Sequence, residues 1–193
     1  MIKSLFGAVG FSHDIKSSRG LGLINHFVDE KYWKENNEWI SPISSFDPKE
    51  YELIVAVGNP KDRKNIVDRL PKDTVFWSFL SKESHIGPEV RYGPGSAILN
   101  NTVIVCHNLI GSHCHLNFGA IIGHDTTLGD YFTAAPGVFI GGDCKIGNRV
   151  YFGGNSSCKN RITICDDVTV GMGAVVLDNI TEPGVYIGCP ARK

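Results

Sequence analysis

The sequence predicts an α/β fold in two parts: a small parallel sheet with helices, followed by a three-sided parallel β-helix. Apolar strands alternate with helical segments through the first part. From Ile86 to Val176, apolar residues recur at every sixth position. Charge falls where that repeat begins, from 12 basic and 12 acidic residues in 1–85 to 7 and 8 in 86–193. We therefore expect domains at 1–83 and 84–193.

The first part shows strand and helix patterns in alternation. The expected strands are 4–8, 26–28, 52–57 and 74–80, and the expected helices are 12–23 and 60–70. Residues 31–50 carry no pattern that predicts an element. Strands that alternate with helices indicate a small parallel sheet.

Two features of this part are typical of a nucleotide site. Gly7-Ala8-Val9-Gly10 lies where the first strand meets the first helix, and a helix N-terminus after small residues can accept a phosphate. Asp29 follows the second strand, where dinucleotide-binding folds hold a ribose. The complete GxGxxG spacing is absent, which disfavours NAD. The alternative is that Gly7 and Gly10 only form a tight turn.

The repeat of the second part has a period of six, which no helix can use. Sixteen apolar residues at one spacing have a chance of roughly one in a million at 42% apolar composition. Glycine follows them at nine places, and we expect it to permit the turn dihedrals. A strand and a turn for each side predict about 18 residues per coil and about five coils. The sixteen positions, expected to point inward, are Ile86, Tyr92, Ile98, Ile104, Ile110, Leu116, Ile122, Leu128, Ala134, Ile140, Ile146, Phe152, Cys158, Ile164, Val170 and Val176.

An 18-residue coil places several polar groups together at one corner. Gly142 lies eighteen residues after His124, so an unobstructed backbone N–H should lie one strand spacing from an imidazole. Asp125 follows His124 directly, and His107 precedes Asp125 by eighteen residues. A base, an orienting acid and an amide donor are the parts of an acyl-transfer site. The alternative is a surface histidine beside a turn aspartate.

Composition excludes several classes of function. The formal net charge is -1, so no basic face is expected for nucleic acid. No apolar run approaches the ~18 residues of a membrane span, and the N-terminus does not resemble a secretory signal. These features favour a cytoplasmic protein. The six cysteines form no CxxC pair, so we expect buried thiols rather than a disulfide framework or a zinc site.

The combination of a GxxG half-Rossmann unit with a hexapeptide prism resembles the nucleotide-sugar N-acetyltransferases of bacterial glycan biosynthesis. This family, which includes bacillosamine-type enzymes, is related to the sialic acid O-acetyltransferases, and the resemblance runs along the whole chain. It implies that the second part is a left-handed parallel β-helix. The segments that carry it are 7–11, 27–30, 56–59, 117–125, 137–142 and 188–192.

The resemblance also implies site residues. His124 would be the catalytic base, with Asp125 and Asn117 orienting it, and the N–H of Gly142 would bind the thioester carbonyl. The expected nucleotide-binding residues are Gly7, Gly10, Phe11, Asp29, Gly58 and Asn59. The chain departs from some relatives, which have histidine where Phe11 and Thr133 stand.

The other histidines of the repeat offer no metal site. The γ-class carbonic anhydrases, which use a similar prism, need two histidine ligands five residues apart, and no pair here has that spacing. We place His107, His113 and His124 at outward or corner positions and expect none of the four repeat histidines in the core. His113 and His115 are expected to be solvated.

The predicted function is transfer of an acetyl group from acetyl-CoA to a UDP- or dTDP-linked 4-amino-4,6-dideoxy sugar by a homotrimer. Lys159, Arg161 and Arg192 are the cations available for the phosphates of acetyl-CoA, because the prism is otherwise poor in positive charge. Two alternatives stay open: a sugar O-acetyltransferase, and a non-catalytic β-helix scaffold that binds a sugar nucleotide.

Overall fold

The computed structural model describes residues 1–7, 10–17, 24–33 and 40–193. Its first part is a sheet of five parallel strands in the order β3-β2-β1-β4-β5. The strands are β1 (Ile2–Phe6), β2 (Asn25–Val28), β3 (Ile40–Pro42), β4 (Tyr51–Val55) and β5 (Val75–Phe76). Helix α1 (Phe11–Ser17) follows β1, and helix α2 (Pro60–Arg69) follows β4.

The predicted strands at 26–28 and 52–57 and the helix at 60–70 correspond to β2, β4 and α2. Two further predictions lie partly outside the described residues: the end of the helix at 12–23, and the centre of the turn at 7–10. Asn59 begins α2 by accepting hydrogen bonds from the backbone N–H groups of Lys61 (2.9 Å) and Asp62 (3.2 Å). The cap explains why this helix begins at Pro60.

The predicted single strand at 74–80 is wrong. It consists of β5 in the first sheet and β6 (Phe79–Leu80), which pairs with Ala97–Ile98 in the prism. Trp77 separates them because its indole is buried and donates Nε1–H to the carbonyl of Ser4 at 3.0 Å. The expected boundary at residues 83 and 84 therefore falls after the first prism strand.

The second part is a prism of three parallel sheets with seven, six and five strands. Ile121 pairs with Phe139, eighteen residues later, as the predicted coil length requires. The strands are β6, β7 (His85–Ile86), β8 (Arg91–Tyr92), β9 (Ala97–Ile98), β10 (Val103–Ile104), β11 (Leu109–Ile110), β12 (His115–Leu116), β13 (Ile121–Ile122), β14 (Thr127–Leu128), β15 (Thr133–Ala134), β16 (Phe139–Ile140), β17 (Lys145–Ile146), β18 (Tyr151–Phe152), β19 (Ser157–Cys158), β20 (Thr163–Ile164), β21 (Val168–Val170), β22 (Val175–Val176) and β23 (Gly184–Tyr186).

The inward positions of the repeat form the core of the prism. All sixteen are buried except Ile86, which is partly buried, and Tyr92, which is 42% exposed on the edge strand β8. Small residues between them, such as Ala120, are fully buried. The prediction of inward side chains is therefore confirmed for all but the first two positions.

The prediction that glycine after the inward residue permits the turn dihedrals is wrong. The left-handed residue of each turn is the fourth of the six, as at His107 and Asp125 (φ 57° and 55°), whereas Gly153 at the second position has no positive φ. A Cβ on Gly153 would lie 2.6 Å from the backbone nitrogen of Met172 in the next coil. Glycine is needed at the second position because consecutive coils approach closely there.

One apolar cluster joins the first sheet to the prism. Leu5 and Ile15 from the first part pack with Ala97 and Leu99 from β9 and the residue after it. This shared core fixes one outer face of the prism against the first sheet. Within the described ranges, neither helix has the length and apolar character needed to cross a membrane.

Candidate active site

The turn after β13 carries His124, the residue that the 18-residue coil length places beside Gly142. Nδ1 of His124 lies 2.7 Å from Oδ2 of Asp125, and the other carboxylate oxygen lies 3.5 Å from Nδ1 of His107. The side chains of His124 and Asp125 are about half exposed, at 54% and 50%. The left-handed conformation of Asp125 directs its carboxylate between the two imidazoles.

This arrangement fixes the tautomer of His124. A carboxylate is an acceptor only, so Nδ1 carries the hydrogen, and in the neutral imidazole Nε2 then holds the lone pair. Nε2 faces Gly142, because a Cβ on Gly142 would lie only 2.8 Å from it. His124 therefore presents a base over a glycine backbone, with Asp125 behind it to stabilise the imidazolium.

The backbone N–H of Gly142 has no hydrogen-bond partner among the described residues. At the equivalent turn position of another corner, the side chain one coil later caps the N–H: Asp130 accepts from Ser112 N at 2.7 Å, and Asn148 accepts from Asp130 N at 2.8 Å. The residue one coil after Gly142 is Asn160, and among the described residues its side chain makes no hydrogen bond to the N–H of Gly142. The corner thus keeps an amide donor available for a developing oxyanion.

The structure does not bring Asn117 to this corner within one chain. Asn117 follows β12 at a different corner, and its side-chain oxygen accepts the N–H of Phe118 at 2.8 Å. No hydrogen bond joins it to His124 in the part of the chain that the structure describes. Asn117 precedes His124 by seven residues, whereas one side of the prism takes six. The two residues therefore lie at different corners.

The expected coenzyme cations lie along the coils beyond Gly142. Lys159 and Arg161 line a groove of about 350 Å³ that also includes Asn160, the residue eighteen positions after Gly142. Arg161 approaches Asp143 at 3.7 Å, and Arg192 approaches Asp178, which lines the groove, at the same distance. Both arginines are largely exposed, so these ion pairs are easily replaced.

A separate cavity of about 750 Å³ lies at the carboxyl edge of the first sheet. Five of the six expected nucleotide-binding residues line it: Gly7, Gly10, Phe11, Asp29 and Gly58. The sixth, Asn59, does not line it, because its side chain caps α2. Asp29 bonds to Nη2 of Arg69 at 3.1 Å, so the cavity has a charged rim over an apolar floor.

The prediction that His113 and His115 are solvated is wrong. His115 is fully buried and stacks on Phe11, with ring centroids 4.0 Å apart, and His113 is 5% exposed and stacks on Tyr131. The side chains of His113 and His115 point outward from the prism, but the first part of the chain covers them. Burial and the nearby Arg63 guanidinium lower the pKa of His113 to about 4 and move the pKa of His115 in the same direction.

The pKa of His113 predicts how stability depends on pH. Its ordinary value of 6.5 applies to the unfolded chain, so between about pH 6.5 and 4 the unfolded state binds the proton and the folded state does not. We expect acidification over this range to remove about 3 kcal/mol through His113 alone. Denaturation of His113→Phe, which keeps an aromatic ring, should show a smaller loss over the same range. An unchanged pH slope would contradict the assignment.

Arg63 is not among the residues predicted from the sequence, yet its side chain is fully buried where α2 meets the prism. A signal was present: Arg63 lies between Pro60 and Ile66 on the buried face of α2, where an apolar residue is expected. Arg63 also reaches Thr133, which accepts from Nη2 at 2.8 Å and donates to the carbonyl of Gly58 at 3.0 Å. Thr133 therefore contacts the loop of the cavity rather than the corner of His124.

One group of possible metal ligands occurs among the described residues. Ligand atoms of His124, Asp125 and Asp143 lie within 4.8 Å of one another, and all three side chains are exposed. Nδ1 of His124 is already bonded to Asp125, so only Nε2 remains for another partner. The hydrogen bond between the imidazole of His124 and the carboxylate of Asp125 explains why these ligand atoms lie close together.

No family model matches the chain. Curated proteins match over part of it: the UDP-3-O-acylglucosamine N-acyltransferase of Bordetella avium is 32% identical over 103 residues, which are 53% of this chain and 28% of that protein. The GDP-perosamine N-acetyltransferase of Escherichia coli O157:H7 is 30% identical over 88 residues, 46% of this chain and 40% of that protein. These relatives of the chain are hexapeptide-repeat acyltransferases. The chain spans less than half the length of these hexapeptide-repeat relatives.

Solved structures match along the whole chain. WeeI from Acinetobacter baumannii AYE is 26% identical with a TM-score of 0.88, over 100% of this chain and 99% of that one. The acetyltransferase domain of PglB from Neisseria gonorrhoeae FA1090, in complex with acetyl coenzyme A, is 22% identical (TM-score 0.88, 98% and 97% covered). PerB from Caulobacter crescentus, in complex with CoA and GDP-perosamine, is 21% identical (TM-score 0.87, 100% and 96% covered). The expected resemblance to hexapeptide-repeat sugar N-acetyltransferases is confirmed, and the neighbours have the left-handed β-helix fold.

Proposed function

We propose that this protein transfers the acetyl group of acetyl-CoA to the amine of a nucleotide-linked amino sugar. The observation that carries the proposal is Nε2 of His124, oriented by Asp125, beside Gly142, whose N–H has no hydrogen-bond partner among the described residues. A base and an amide donor facing one point are what acyl transfer to an amine requires. The named acetyltransferases among the relatives support the reaction class.

In the proposed reaction the sugar amine attacks the thioester carbonyl and forms the C–N bond. Nε2 of His124 accepts the proton that the amine loses, and the N–H of Gly142 stabilises the negative charge on the carbonyl oxygen. The C–S bond then breaks, and the imidazolium returns the proton to the leaving thiolate of CoA. Asp125 stabilises the imidazolium throughout. No covalent intermediate on the protein is needed, so the cysteines have no part in this reaction.

The cavity at the first sheet is proposed to hold the nucleotide. Its glycine turns at Gly10 and Gly58 lie at the carboxyl ends of parallel strands, where α/β folds bind nucleotides, and Asp29 is available to a ribose. We interpret residues 1–83 as a half-Rossmann nucleotide-sugar domain, whose last strand β6 pairs with the prism, and 84–193 as the acetyltransferase domain. The expected nucleotide is UDP or dTDP, carrying a 4-amino-4,6-dideoxy sugar. GDP is a further candidate because one relative is a GDP-perosamine N-acetyltransferase.

A homotrimer is proposed because one outer face of the prism is apolar. Val103, Ile121 and Phe139 lie in register across β10, β13 and β16, and the latter two are 40% and 46% exposed. This stripe adjoins the half-exposed corner of His124. A second copy on this face would bury the stripe and supply the missing wall of the site. Asn117, which is remote from His124 in one chain, could then meet the site of a neighbouring copy.

Lys159, Arg161 and Arg192 are proposed to bind the phosphates of acetyl-CoA. Replacing each by methionine should raise the KM for acetyl-CoA by about two- to five-fold, since exposed ion pairs each contribute little, and should leave the KM of the sugar nucleotide unchanged. Steady-state kinetics with each substrate varied in turn measure both constants. Lys145→Met, an exposed cation on β17 outside the groove, serves as the control. A rise in the sugar-nucleotide KM instead would contradict this assignment.

A hydroxyl acceptor is the second candidate, because a serine acetyltransferase of Helicobacter pylori is 34% identical over 82 residues, 38% of this chain and 48% of that protein. An assay that detects thiol release from acetyl-CoA separates the candidates when it is run with UDP-, dTDP- and GDP-linked 4-amino sugars and with their 4-hydroxy counterparts. Release with an amino sugar alone supports N-acetylation. Release with the hydroxy sugars supports O-acetylation, and no release with any of them supports a binding scaffold.

A further inference from the structure

Arg63 occupies the junction between α2, the Gly58 loop and the prism. Its three nitrogens together donate to seven acceptors: the carbonyls of Val57 (2.6 Å), Gly58 (3.1 Å), His113 (2.9 Å), Tyr131 (2.8 Å) and Phe132 (3.2 Å), Nδ1 of His115 (3.2 Å) and Oγ1 of Thr133 (2.8 Å). Among the described residues no carboxylate bonds to this buried guanidinium. Its charge is thus compensated by the dipoles of five carbonyls, one hydroxyl and one imidazole.

These contacts reach two walls of the nucleotide cavity. Val57 and Gly58 form part of the first wall, and both of their carbonyls accept from Nη1 of Arg63. Phe11 forms part of the second wall, and its ring lies flat on His115, with 12° between the ring planes. His115 in turn accepts from Arg63, so the same guanidinium supports both walls.

The hydrogen bond to His115 defines the state of that side chain. A guanidinium can only donate, so Nδ1 of His115 must carry the lone pair and the imidazole is neutral. Burial lowers the pKa of His115, which favours the same neutral state. The stacked pair of Phe11 and His115 therefore has one defined orientation relative to Arg63, rather than the freedom of an unbonded ring.

We propose that Arg63 is a positioning residue for the nucleotide, which holds the Gly58 wall and the Phe11 wall of the cavity at the spacing that a nucleoside diphosphate requires. Through Tyr131, Phe132 and Thr133 it also fixes both walls to the prism that carries His124. This inference rests on the proposed function, because it assumes that the cavity binds the nucleotide. An apolar residue at this position would leave five carbonyls without this donor, of which those of His113 and Phe132 are in buried contacts.

The test measures nucleotide and coenzyme affinity separately, with UDP, dTDP and GDP as probes of the cavity and CoA as the probe of the corner. Calorimetry should show that Arg63→Met weakens binding of the preferred nucleoside diphosphate by about tenfold or more, whereas the Kd of CoA changes less than about twofold. Millimolar guanidinium should partly restore the nucleotide affinity of Arg63→Ala, because the small cation can occupy the vacated space. A role in folding alone would lower both affinities or neither.

Arg149→Met is the matched control. Arg149 lies in the prism and, like Arg63 of α2, bonds within the protein, to Asp166 and Asp167, but it does not line the cavity. We expect Arg149→Met to lower the melting temperature and to leave both affinities within about twofold of wild type. If Arg63→Met does not fold, Thr133→Val reports on the same network, because it keeps the side-chain shape and removes only the hydroxyl that joins Arg63 to Gly58.

Two outcomes would overturn the inference about Arg63: unchanged nucleoside diphosphate affinity in the folded variants, or an equal loss for nucleotide and CoA. The proposed function fails in a different way. If wild-type protein binds none of the three nucleoside diphosphates, the cavity is not a nucleotide site and the inference falls with it. If wild type binds one of them and the variants bind it equally well, only the positioning role of Arg63 is lost.

Discussion

Replacing His124 by alanine is expected to lower kcat by about 10²–10⁴, the usual effect of losing a general base. The prism should stay folded, because the side chain of His124 is 54% exposed and contributes nothing to the core. Asp125→Ala should cost less, since the imidazole that it orients remains over Gly142. Thiol release from acetyl-CoA measures kcat, and thermal denaturation shows that each variant is folded.

The pH profile of the same variant tests which reaction occurs. An amine that is unprotonated attacks without much help, so for an amino sugar the defect of His124→Ala should shrink as pH rises past the pKa of the amine. A hydroxyl acceptor would depend on His124 at every pH. His107→Ala is the control, because His107 contacts the same carboxylate at 3.5 Å without facing Gly142. Wild-type activity in His124→Ala at neutral pH would mean that the base lies elsewhere, with His107 the next candidate.

The repeat could be predicted from the sequence because every coil repeats the same local requirement. An inward apolar residue every sixth position, such as Ile122 and Ile140, defines the register of the sheets, and the register then places Gly142 beneath His124. Each relation depends only on separation along the chain. The corner that carries His124 follows from this counting, since it needs no information about the rest of the molecule.

The covered face of the prism could not be predicted in the same way. His115 and Thr133 are paired residues of β12 and β15, and both occupy outward positions of the repeat. The hexapeptide pattern alone therefore predicts that both are exposed. They are buried because the first part of the chain packs on that face, with Phe11 on His115 and Arg63 between the two residues. Contacts of this kind join residues more than fifty positions apart, which no local period encodes. The charged position on the buried face of α2 was the only local sign of them.

Gly142→Ala is expected to abolish most activity although it adds one methyl group. The new Cβ would lie 2.8 Å from Nε2 and 2.9 Å from Cε1 of His124, closer than such atoms can approach. Because His124 is half exposed, its ring can rotate into solvent, so we expect folding to survive and the base to leave its position. The methyl group also occupies the space over the amide that the thioester oxygen needs. A fall in kcat of about 10²–10³ is expected from this loss of base and oxyanion contact.

Gly154→Ala is the matched control for Gly142→Ala. Gly154 has the same position in its own repeat, at another corner, and a Cβ there meets its nearest atoms at ordinary contact distances of 3.5 and 3.9 Å. Neither glycine has the positive φ that would strain an alanine, so backbone effects should be equal in the two variants. Thiol-release kinetics should therefore show near wild-type kcat for Gly154→Ala and a large loss for Gly142→Ala, with similar melting temperatures. Full activity in Gly142→Ala would mean that the acetyl group is not transferred at this corner.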